Sequence, residues 1–226
     1  LVVLSYRHGT KWGLGAGMCY GMLQQLIALG TLSYVTTWQS VVAVILLDYV
    51  LAFAGCGLGG LFRHSVRKQA FSLGLGVLIA CVFRFLCHLI SGCTVWAGLS
   101  IPDEAALIYS FGYNITYMLP EAIVTFLAAI YLGSALDFSE KNPKPMIRKE
   151  NSKKAYAFGA GAGLLVLGAL VFDVVKIFPT LQNEDGVFDF VGIADVKWLP
   201  VLIVTAVCFA LAACLTFFAL KKNEEK

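Results

Sequence analysis

Long apolar runs separated by short polar segments set the pattern of this chain. Six stretches, at 12–30, 40–61, 70–95, 106–136, 155–178 and 198–220, carry few charges. Each is near or above the ~20 residues an α-helix needs to cross a bilayer. The runs are too long for strands and lack period-two alternation, so membrane-spanning helices are expected. The fourth run exceeds one straight span. It is expected to begin as an interfacial segment or to bend at Pro120.

Composition agrees with the pattern. Hydrophobic types make up 59% of the 226 residues, charged types only 14%, and the mean hydropathy is +0.79. An average soluble domain carries about a quarter charged residues. An ordinary soluble globule, a nucleic-acid binder and a disordered chain are therefore excluded. The expected surroundings are a lipid bilayer, with no nucleic-acid partner. The chain opens on leucine rather than methionine and shows no signal peptide, which predicts that it starts inside a longer protein.

The formal net charge of +3 matters less than where the positive charges sit. Arg7 and Lys11 precede the first run, and Arg63, Arg67 and Lys68 separate the second from the third. Lys141, Lys144, Arg148, Lys149, Lys153 and Lys154 separate the fourth from the fifth, and Lys221, Lys222 and Lys226 follow the sixth. Every second loop is basic, so these loops are expected on the cytoplasmic side. Loops 31–39, 96–105 and 179–197 then face outward. The last is acidic, with Glu184, Asp185, Asp189 and Asp195, and reads as a solvated loop.

The basic segment 137–154, with Pro143 and Pro145, is the natural boundary. It divides a core, 1–136, from a two-span hairpin with a basic tail, 155–226. The hairpin offers Gly159, Gly161, Gly163 and Gly168 on one span and alanines on the other. Such small residues suit close helix packing rather than a binding site.

The core carries ionisable groups at membrane depth, where they are expensive and mark functional sites by default. These are Asp48, Arg84, His88 and Glu121. At 1.5 Å per residue, Asp48 lies about 12 Å and His88 about 10 Å from the outer face. Tyr109, Tyr113 and Asn114 fall in the same outer layer, with Trp96 at the interface. Arg84, His88, Gly92 and Trp96 recur at four-residue steps, as do Tyr109, Tyr113 and Tyr117, so each set shares a helix face. Gly92 is expected to leave room above the imidazole. Arg84 lies deeper, at about 17 Å, and a structural pair with Glu121 is expected. That pairing would leave Asp48 uncompensated and open to a cationic or amine-bearing ligand. The convergence suits a small flat polar ligand in an outward-facing pocket.

No catalytic constellation competes. HExxH, GxSxG and P-loop patterns are absent. Gly55, Gly57, Gly59 and Gly60 lie inside a span and read as close helix packing. The seven cysteines show no metal-ligand spacing and read as small core residues. No enzyme activity, metal or cofactor is expected.

Four ordered segments carry a resemblance: LSYRHGTKWGLGAG at 4–17, LLDYVLAFAGCGLGGLFR at 46–63, RFLCHLISGCTVWAG at 84–98 and YSFGYNITYMLPE at 109–121. Over about 4–136 the chain resembles the thiamine-specific substrate-binding subunit, or S component, of energy-coupling factor (ECF) transporters. The resemblance implies an all-α polytopic membrane protein of the bacterial cell membrane. It would hold five core helices of a six-helix S-component fold, the first helix missing, plus a C-terminal transmembrane hairpin. The implied function is high-affinity capture of extracellular thiamine. The implied partners are a transmembrane coupling subunit and two cytoplasmic ATPases.

Carried over by position, the implied ligand-binding residues are Asp48, Tyr49, His88, Gly92, Trp96, Tyr109 and Asn114. Asp48 would meet the aminopyrimidine and Trp96 would stack on the ligand. Arg84, Tyr113 and Glu121 are structural or pocket-adjacent. Asp48 is shorter than the glutamate expected there. Two other readings stay open: an S component for another flat vitamin or pyrimidine precursor, and a structural or assembly membrane protein whose polar groups only join helices.

Overall fold

The computed structural model describes residues 1–96, 98–139, 141–146, 150–184 and 186–224, the side chains of 150–152 and 222–224 excepted. Arg148, Lys149, Asp185 and Lys226, counted above among the loop charges, lie outside the described residues. The helices are α1 (Val2–His8), α2 (Thr10–Ile27), α3 (Trp38–Arg63), α4 (Gln69–Thr94), α5 (Glu104–Ala135), α6 (Glu150–Ile177) and α7 (Trp198–Glu224). Named strands are limited, among the described residues, to the pair Leu136–Asp137 and Lys144–Pro145. The architecture is all-α.

Among the described residues, five helices are long and apolar enough to cross a membrane: Trp38–Arg63, Gln69–Thr94, Glu104–Ala135, Lys153–Leu181 and Trp198–Lys221. Together they make the chain a multi-pass membrane protein. The span expected at 12–30 is a helix, α2, but does not join the five. Its 18 residues include Lys11, Gln24, Gln25 and a run of glycines, which dilute its hydropathy. The long fourth run starts at Glu104, where the Asp103 carboxylate caps the helix by accepting from Ala106 N at 2.7 Å. It continues as one helix through Pro120 to Ala135.

The chain divides into two compact units, Leu1–Lys144 and Pro145–Lys226. In the first, glycines set how closely helices approach. Gly13, Gly17 and Gly21 recur every four residues on the buried face of α2. A Cβ at Gly17 would collide with the Phe53 carbonyl, and one at Gly57 with the backbone of Leu14. Backbone therefore meets backbone across α2 and α3, as small residues permit in membranes. Ser5 of α1, fully buried, ties this end together. Its hydroxyl donates to the Gly57 carbonyl and accepts from Gly60 N at 3.0 Å. That satisfies backbone groups where α3 tightens to a 3-10 helix over Gly55–Arg63.

Helix α3 has a second irregularity. Residues Ile45–Leu51 form a π-helix, with ordinary α-helix before and after. Such wide turns are rare and occur frequently at functional sites. Asp48 and Tyr49 lie inside it.

The second unit is an antiparallel hairpin. Near one end the Thr205 hydroxyl donates to the Asp173 carboxylate, at 2.8 and 2.9 Å from its two oxygens. Near the other, Phe158 meets Phe218 at 6.1 Å between ring centroids. The expected glycine seam is mostly not a seam. Only at Gly161 does a neighbour, Leu215, approach the Cβ position, at 3.3 Å. Gly159, Gly163 and Gly168 have nothing within 4 Å there.

Candidate ligand-binding site

Three helices of the first unit contribute to one polar cluster. Its centre is Asp48, on the π-turn of α3. From α4, His88 Nδ1 lies 2.9 Å from Asp48 Oδ1, and the Ser91 hydroxyl donates to Oδ2 at 2.6 Å. Just past the end of α4, the Trp96 indole N–H donates to the same Oδ2 at 3.0 Å. Asp48 and His88 each keep 13% of their side chain exposed. A carboxylate only accepts, so His88 Nδ1 is the donor in this contact.

Asp48 is thus not the uncompensated acid expected above. Three donors hold it, because the wide turn of α3 brings it against α4 where His88 and Ser91 lie three residues apart. The carboxylate has about four acceptor positions. Oδ2 receives two donors and Oδ1 receives one, which leaves one acceptor position on Oδ1.

Helix α5 supplies an aromatic row. Tyr109 and Tyr113 lie parallel, with centroids 6.4 Å apart and planes 3° apart. Tyr113 meets Tyr117 edge-on at 5.6 Å, and Tyr117 meets the His88 ring at 6.5 Å. The four-residue spacing therefore delivers one face that ends at the imidazole. Tyr109, Tyr113 and Trp96 are each about half exposed.

Asn114 works beneath this row. It is buried, accepts from the Tyr117 hydroxyl at 2.6 Å, and donates to the Ser110 carbonyl at 2.8 Å. Ser110 in turn donates to the Leu89 carbonyl at 3.0 Å. Gly92 serves this contact. A Cβ there would strike the Ser110 hydroxyl, so Gly92 makes room for α5 rather than for the space above the imidazole.

The remaining candidates point elsewhere. The Tyr49 hydroxyl lies 3.4 Å from that of Thr31, in the segment after α2. Arg84, one turn deeper than His88, pairs with Glu121 and stacks over the Phe53 ring at 4.8 Å. This pair lines a cavity of about 420 Å³ with Tyr20, Phe53, Cys56 and Cys81. The cavity includes no member of the Asp48 cluster.

Ser91 is the member that sequence reasoning passed over. The usable signal was its spacing, three residues after His88, which places it on the same side of α4.

Comparison with known proteins identifies relatives of the first unit. The profile of the thiamine transporter protein family (Thia_YuaJ) matches residues 1–139. A curated relative, the thiamine transporter ThiT of Bacillus subtilis (strain 168), is 37% identical over 133 residues. That alignment covers 55% of this chain and 66% of the relative, just under two thirds of its length. No solved structure matches the chain. With well over half of its length matched by the profile, the chain belongs to the thiamine transporter protein family.

Proposed function

We propose that this protein captures thiamine from outside the cell and acts as the S component of an ECF-type transporter. In this reading the first unit holds core helices of the six-helix S-component fold, and the hairpin of α6 and α7 is an accessory. Energy comes from a transmembrane coupling subunit with two ATPases, and the protein itself performs no covalent chemistry. The basic loops face the cytoplasm, which puts the Asp48 cluster in the outer half of the membrane.

The observation that carries the reading is the Asp48 cluster beside the tyrosine row. Thiamine joins an aminopyrimidine to a thiazolium cation. The open acceptor position of Asp48 Oδ1 suits an exocyclic amine. Trp96, Tyr109 and Tyr113 supply flat, electron-rich faces for the rings and the cation. The acceptor-rich centre and aromatic rim favour a flat cation with amine donors over an anion.

Titration calorimetry on the purified protein tests the proposal. Thiamine binds the wild type, and Asp48→Asn weakens binding by about ten- to a hundredfold, the worth of a hydrogen bond to a charged group. Unchanged affinity in a folded Asp48→Asn variant overturns the site. Stronger binding by the pyrimidine half alone than by thiamine overturns the ligand.

A further inference from the structure

We propose that Ser91 is a positioning residue that aims the Asp48 carboxylate at the ligand's amine and so sets selectivity for it. The inference rests on the thiamine-capture reading and deepens it. Ser91 is fully buried, and its hydroxyl makes the shortest of the three hydrogen bonds to Asp48, at 2.6 Å. Its backbone is engaged as well. The Ser91 carbonyl accepts from Val95 N at 2.8 Å and from Trp96 N at 3.1 Å. The second of these spans five residues and widens the last turn of α4. That turn carries Trp96 to where its indole N–H reaches the same Oδ2.

Ser91 therefore acts on Asp48 twice: directly through its hydroxyl, and through the backbone turn that brings Trp96. With both Oδ2 positions filled, rotation of the carboxylate is blocked and Oδ1 is the atom presented. Without the hydroxyl, Asp48 keeps one donor on each oxygen, His88 on Oδ1 and Trp96 on Oδ2. Its carboxylate plane is then free to tilt, and the open position on Oδ1 is aimed less well at the amine. The backbone contact survives any side-chain change, so a substitution isolates the direct role. Ser91 does not touch the ligand in this account. It governs how well an amine is told from a group that cannot donate in the same way.

The test compares thiamine with oxythiamine, in which oxygen replaces the pyrimidine amine, on wild type, Ser91→Ala and Ser91→Cys. In Ser91→Ala, thiamine binding weakens about tenfold while oxythiamine binding stays within about twofold, so discrimination between them falls about tenfold. Ser91→Cys, with a weak S–H donor of nearly the same size, lies between and carries the measurement if the alanine variant does not fold. Equal weakening of both ligands reveals a merely structural role and overturns the proposal. So does unchanged discrimination. A wild type that binds neither ligand overturns the capture reading instead, and the positioning role with it.

Discussion

The indole N–H of Trp96 donates to Oδ2 of Asp48 at 3.0 Å, tying the half-exposed rim of the site to its acidic centre. A tryptophan at a membrane interface often only anchors the protein. This one has its indole N–H held by a carboxylate while the residue stays about half exposed. Trp12 and Trp38, the other tryptophans of the same unit, donate none of the hydrogen bonds to Asp48.

Fluorescence separates the two roles. Thiamine quenches the emission of the wild type, and Trp96→Phe abolishes most of that change. Trp96→Ala weakens binding by about fivefold to a hundredfold, the range of ring stacking by alanine substitution. Full quenching in Trp96→Phe would place the ligand elsewhere.

Gly92 gives a packing prediction. A methyl group there strikes the Ser110 hydroxyl and pushes α5 from α4, carrying Asn114 and the tyrosine row with it. Gly92→Ala therefore lowers the melting temperature, at about 1–3 kcal/mol for overpacking, and weakens thiamine binding. Ser110→Gly in the same molecule removes the obstructing atoms and restores part of both. An unaltered melting temperature in Gly92→Ala would contradict the close contact.

How much of this was legible beforehand follows from what each feature depends on. The Arg84–Glu121 pair was accessible because depth along a helix is simple arithmetic. Asp48 and His88 were placed in one layer for the same reason. Their bonding was not legible, because it depends on the π-turn of α3, and periodicity analysis assumes a constant turn. The contact of Trp96 with Asp48 depends on a widened turn at the end of α4, a boundary that sequence patterns locate poorly. Gly92 was read as leaving room above the imidazole, but its neighbour belongs to α5, and spacing within one helix does not name a partner on another. The hairpin glycines illustrate the converse. Small residues permit close approach without causing it, and three of the four have no neighbour.

Orientation is testable with single cysteines on a background lacking the native ones. Ser33 and Ser100 lie in exposed loops expected outside, and Ser65 and Ser139 in exposed loops on the basic side. In intact cells an impermeant thiol reagent labels cysteine at Ser33 and Ser100, and labels Ser65 and Ser139 positions only after lysis. The reverse pattern would put the Asp48 cluster in the cytoplasmic half.

The last prediction concerns where the ligand-binding unit ends. Composition placed the boundary in the basic segment 137–154, and the first compact unit runs to Lys144. The reason is Phe138, buried in a core cluster with Leu73, Val77 and Ala129. Gln69 holds the segment in place. Its amide donates to the Gly133 and Leu136 carbonyls at 2.9 and 2.6 Å and accepts from Phe138 N at 2.9 Å. Arg7 adds a bond to the Lys141 carbonyl at 2.6 Å. A stop after Leu136 removes Phe138 and opens a core cavity, a loss of about 3–5 kcal/mol for a buried phenylalanine. A stop after Lys144 keeps these contacts and every residue of the Asp48 cluster. The longer truncation therefore binds thiamine within about threefold of the complete chain, a difference under 1 kcal/mol, while the shorter one melts earlier. Equilibrium binding and melting temperature on both purified truncations decide it. A folded, monodisperse protein ending at Lys144 that has lost thiamine binding would show that the hairpin helps form the site.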